Sequence, residues 1–133
     1  MKPSLCNKLL KDFPDLFPVE NPLFRKGSGV PFFIDCEDGW YKIIYDLCID
    51  IRKLLKENPI DQFMVLQVKE KFGGLRFYIG AGSEEIFSRI AKAEVDSVHT
   101  CEYCGQPGKL RLKLPWIRTL CDKCYKEKLK EYE

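Results

Sequence analysis

Two cysteine pairs near the C-terminus, Cys101-x-x-Cys104 and Cys121-x-x-Cys124, constrain this chain more than any other feature. The 16 residues between them, 105–120, give the spacing of a four-thiolate site built from two tight turns. Four clustered thiolates repel one another unless a cation holds them. The pattern therefore predicts a bound Zn2+, with iron–sulfur ligation as the remaining alternative. An ion closed in by four sulfurs has no open position for water or substrate, so the expected role is structural. His99, the only histidine, lies two residues before Cys101 and is read as a surface residue rather than as an exchange ligand.

At 133 residues the chain has room for one buried core plus a small metal-held appendage. The expected division is an α+β core domain over residues 1–98 and a zinc-ribbon module with a C-terminal helix over residues 99–133. The formal charge of +2 is cancelled by four thiolates and one divalent ion. No strong general basic field is left to draw the molecule onto DNA or an anionic membrane. Met1-Lys2-Pro3-Ser4 precedes no apolar run and no stretch reaches the length of a membrane span, which argues against export or membrane insertion. Three further cysteines (Cys6, Cys36 and Cys48) have no evident pairing, which suits a reducing cytoplasm.

Along the chain, residues 4–12 read as a short helix capped by Ser4 and ended by Phe13-Pro14. Residues 13–35 contain four prolines and five phenylalanines (Phe13, Phe17, Phe24, Phe32 and Phe33). That is too many apolar rings for a solvated linker, so an ordered wrapping loop is expected, with a short strand at 31–35. Trp40, Ile43, Ile44, Leu47, Ile51, Leu54 and Leu55 recur at helical spacing and predict a long helix over 39–57, with Cys48 on its buried stripe. Residues 62–69 and 74–80 predict a β-hairpin joined through Glu70-Lys71-Phe72-Gly73. Leu75, Phe77 and Ile79 should face the core, and Arg76 and Tyr78 the other side. Ser83 should cap a helix over 84–98, and Cys121 should start a last, charged helix. The fold class is α+β, a small antiparallel hairpin packed on helices with a C-terminal four-cysteine zinc ribbon.

Two surfaces are candidates for recognition. Lys69, Lys71, Arg76 and Tyr78, with Trp40 as a second stacking ring, have the chemistry to bind a nucleotide-like anion. The competing reading is a glycine-dependent turn with Arg76 in a structural ion pair. Between the cysteine pairs, alternation places Lys109, Arg111 and Lys113 on one side of a strand and Leu110, Leu112 and Leu114 on the other. With Trp116 and Arg118, that edge either contacts nucleic acid or is a solvated face with Trp116 closing the metal core. Catalysis is not expected: no H-x-E stands beside the cysteines, one histidine cannot make a paired-histidine metal site, and no nucleophile elbow appears.

The blocks Phe13-Pro-Asp-Leu-Phe17, Asp38-Gly-Trp-Tyr41, Gln67-Val-Lys-Glu-Lys-Phe-Gly-Gly-Leu-Arg-Phe-Tyr78, Cys101-Glu-Tyr-Cys-Gly-Gln-Pro-Gly108 and Trp116-Ile-Arg-Thr-Leu-Cys-Asp-Lys-Cys124 span most of the chain. In these blocks it resembles small zinc-ribbon proteins encoded by bacteriophages and prophages. The resemblance implies a viral accessory gene acting in the cytoplasm of a bacterial host. From it follows the expectation of a non-enzymatic protein that sequesters a host defence-signalling nucleotide. The alternatives are a nucleic-acid-binding zinc ribbon and an inhibitor that docks on a host protein through residues 13–33.

Overall fold

The computed structural model describes residues 1–17 and 34–132. Helix α1 (Pro3–Asp12) begins at Pro3, with Lys2 rather than Ser4 in the cap position. Pro3 occupies the first helical position, where its fixed φ and missing N–H cost nothing. Cys6 and Leu9 are its buried residues. The chain then turns through Phe13, Leu16 and Phe17, all buried in the core. Phe24, Phe32 and Phe33, and most of the expected 31–35 strand, lie outside the described residues. Asp35 forms one parallel bridge to Lys69, its N–H donating to Val68 O at 2.9 Å.

The expected long helix is divided in two. Asp38–Trp40 is a single 3-10 turn, and α2 proper is Tyr41–Glu57 with Ile44, Leu47, Cys48 and Ile51 buried. Cys48 is an interior apolar residue, and burial pushes its thiol well above the usual range. Asn58 ends the helix ahead of Pro59.

Strands β1 (Val65–Lys71) and β2 (Gly74–Ile79) pair antiparallel, with Val68 opposite Phe77 and Lys69 opposite Arg76. The connection is tighter than the four residues expected. Only Phe72 and Gly73 make the turn, at φ 53° and 83°. Two positive φ values define a turn whose twist matches that of the flanking strands. Leu75, Phe77 and Ile79 point inward as alternation requires. Ser83 caps α3 (Glu84–Ser97), accepting from the Ile86 N–H, and Ile86, Ile90 and Ala93 face the core. This helix also shields the free edge of β2. The Leu75 N–H donates to Ser97 Oγ at 2.9 Å and the Phe77 N–H to Glu94 Oε2 at 3.0 Å.

Beyond α3 the chain forms a short ribbon, β3 (Lys109–Arg111) paired antiparallel with β4 (Arg118–Leu120), followed by α4 (Asp122–Glu131). Its own core is small: Cys101, Leu114 and Leu120, with Tyr103 and Tyr125 packed against them. No helix among the described residues is long and apolar enough to cross a membrane.

Candidate metal centre and recognition surface

Each cysteine pair shapes its own turn. In the first, the Gly105 N–H returns to Cys101 O at 2.9 Å and the Cys101 N–H donates to Gln106 O at 2.7 Å. Gly105 takes the left-handed φ of 82° that closes the loop. In the second, Cys121 caps α4 and its Sγ accepts the Cys124 N–H at 3.4 Å. The four sulfurs lie within 4.8 Å of one another, and those of Cys104 and Cys121 are 3.6 Å apart. A metal–sulfur length of about 2.3 Å in a tetrahedron puts sulfurs about 3.8 Å apart, so the cluster fits a metal ion.

The Cys124 amide lowers the Cys121 thiol to about 7, while burial raises those of Cys104 and Cys124. A cation is what makes four thiolates compatible at neutral pH. His99 is exposed and stands outside the thiol cluster.

The first cysteine turn is seated on the helical core through backbone contacts. The Gly39 N–H donates to Glu102 O at 2.6 Å, and Trp40 Nε1–H donates to Thr100 O at 2.9 Å. The Glu102 carboxylate, almost fully buried, accepts from the Glu37 N–H at 3.1 Å and from Arg118 Nη1 at 3.3 Å. Burial raises its pKa to about 7 even with the Arg118 charge beside it. Across the molecule, Thr119 Oγ1 donates to Gly73 O at 2.6 Å, tying β4 to the tip of the first hairpin.

Several sequence expectations are corrected by these contacts. Trp40 is fully buried and its indole N–H is engaged, so it cannot stack on a ligand. Arg111 is not a free cation. Its Nε donates to Leu120 O at 3.0 Å, its Nη2 donates to Asp122 Oδ1 at 2.7 Å, and its guanidinium lies 4.4 Å from the Tyr125 ring centroid. Arg118 is committed to Glu102. The alternation expected over residues 109–114 fails because β3 ends at Arg111. Leu110 and Leu112 are exposed, and Leu114 returns to the small core from a turn. Trp116 is 69% exposed, so it does not close the metal core.

The cations that remain are Lys69, Lys71 and Arg76 on the first hairpin and Lys109 and Lys113 on the second. None forms an ion pair among the described residues. Lys69 stands directly opposite Arg76, a like-charge pairing that opposes folding, and Asp35 flanks Lys69 on its other side. Arg76 lies across Gly74, where an added Cβ would come 3.0 Å from its Nη1. Tyr78 is half-exposed, opposite Gln67. Lys69 and Arg76 are half-exposed on this face, and the groove lined by Asp50, Glu84 and Arg89 shares no lining residue with it.

Sequence reasoning passed over Phe72. Its ring is 69% exposed at the hairpin tip, although an aromatic residue ahead of two glycines was the available signal. It also passed over Gly39, Glu102 and Thr119, whose contacts join segments distant in sequence. No family model matches the chain, and no curated protein or solved structure matches it either.

Proposed function

We propose that this chain is a non-enzymatic nucleic-acid-binding protein whose four cysteines hold a structural Zn2+. The ion keeps the second hairpin against the first, and the two together present one recognition surface. The observation that carries the reading is the meeting of the hairpins. Gly73 packs against Leu110 and Ile117, so the tip of the first hairpin, with Lys71 two residues away, meets the second hairpin beside Lys109. Lys69 and Arg76 stand opposite each other with no ion pair among the described residues, and like charges so placed are favoured by high dielectric or by an anion between them. Unpaired cations on two hairpins that meet at the tip of the first suit a polyanion laid across both. A single signalling nucleotide, the ligand expected from the phage resemblance, gains more from walls, and Trp40 does not supply one.

The test is fluorescence anisotropy with labelled oligonucleotides over a series of salt concentrations. Affinity should fall with log[salt] by about 0.7–0.9 per phosphate neutralised. Replacing Lys69 and Lys109 together with alanine should flatten that slope. Absence of binding to any nucleic acid, or a salt-independent affinity, refutes the proposal.

A further inference from the structure

We infer that the ligand of this surface is single-stranded and that Phe72 and Trp116 are the rings on which its bases stack. The inference rests on the nucleic-acid reading above and gives it a substrate class.

Phe72 occupies the first central position of a two-residue turn at φ 53°. That position favours Asn, Asp or Gly, and a bulky residue there is strained. Burial does not offset the strain, because Phe72 is 69% exposed, with Lys71 Nζ 5.7 Å from its ring centroid. A large ring held out in solvent on an unfavourable backbone serves something outside the chain.

Trp116 meets the same description on the second hairpin in its exposure, also 69%. Both residues lie where the two hairpins meet. A Cβ on Gly73 would lie 3.2 Å from Ile117 Cγ2, and Phe72 and Trp116 are the residues immediately before that contacting pair. Their Cα atoms are therefore no more than about 15 Å apart, a span covered by a few nucleotides.

Leu110 and Leu112 are exposed between Lys109 and Lys113 in sequence, and Leu110 reaches the tip of the first hairpin, where Lys71 is exposed. Charge decides the occupant. Among the described residues Lys71, Lys109 and Lys113 form no ion pair, whereas the carboxylates on these two hairpins and their flanks are engaged: Glu70 Oε2 accepts the Gly73 N–H at 3.1 Å, and Glu102 and Asp122 pair with Arg118 and Arg111. A protein partner would need an acidic rim. A nucleic-acid strand brings negative charge at every step together with flat apolar bases. A duplex hides those base faces, and a single strand offers them.

The experiment follows intrinsic fluorescence while the zinc-loaded protein is titrated with a thymidine oligomer and with a duplex of equal length. Trp40 is buried, so quenching reports Trp116. The single strand should quench and bind about tenfold tighter than the duplex. Phe72→Asn should raise the melting temperature, by relieving the turn, while weakening single-strand binding about tenfold and leaving duplex binding unchanged. Trp116→Ala should weaken the single strand similarly without unfolding the protein.

Equal affinity for both forms, with neither variant affecting it, overturns the inference and leaves the salt-dependent polyanion reading standing. No binding to either form overturns both readings and transfers the patch to a protein partner. A melting temperature that falls in Phe72→Asn removes the strain argument.

Discussion

Gly39→Ala is the sharpest probe of how the metal-bearing turn is attached to the helical core. A Cβ on Gly39 would stand 2.1 Å from Cys101 O and 2.5 Å from Glu102 O, whereas real Cβ atoms keep at least about 3.0 Å. The turn must therefore retreat by about 0.9 Å at its closest point, and its carbonyls are backbone that cannot swing away as a side chain does. Overpacking of this kind costs about 1–3 kcal/mol. The same displacement stretches the 2.6 Å bond from the Gly39 N–H to Glu102 O, worth about 1 kcal/mol. A loss of about 2–4 kcal/mol corresponds, at roughly 4 °C per kcal/mol for a chain of this length, to a fall of about 8–16 °C in Tm. Circular dichroism melts with saturating metal measure it, and a chromogenic chelator should extract the ion faster from the variant than from the parent. A Tm within about 2 °C of the parent, roughly 0.5 kcal/mol, would refute the close backbone docking of the cysteine turn.

Removing the metal with a chelator under reducing conditions should unfold the ribbon and spare the helical core. Three buried residues, Cys101, Leu114 and Leu120, cannot substitute for a binding free energy of about 10–16 kcal/mol. Hydrogen exchange should show the Thr119 and Leu120 amides losing protection while those of Leu47 and Val68 keep it; uniform retention refutes this. Arg111→Lys should destabilise by about 2–3 kcal/mol, because a lysine reproduces neither the bond to Leu120 O nor the stacking on Tyr125. In the folded fraction, oligonucleotide affinity and salt slope should not change. A drop in the salt slope would return Arg111 to the binding surface.

The elements were readable from residue pattern because each is specified locally. Helical spacing of Ile44, Leu47 and Ile51 marks the buried stripe of α2, and strict alternation of Leu75, Phe77 and Ile79 marks the inner face of β2. Ser83 caps its helix as its chemistry predicts. Local signals failed where a residue satisfied two roles. Pro3 rather than Ser4 begins α1, since both sit at positions that favour a helix start. Trp40 and Arg111 resembled ligand-binding groups, yet their apolar bodies are buried and their polar ends bond to carbonyls of other segments.

The sequence alone determined the four-cysteine cluster and the faces of the helices and of the first hairpin, because covalent spacing and backbone periodicity dictate which side chains lie side by side. Tertiary structure decided which of those side chains are covered. The seating of the cysteine turn on Gly39 consumed Trp40 and Arg118, and the meeting of two hairpins left Phe72 and Trp116 uncovered. Burial depends on what packs over an element, and the covering residues here come from segments tens of positions away, beyond the reach of any local pattern.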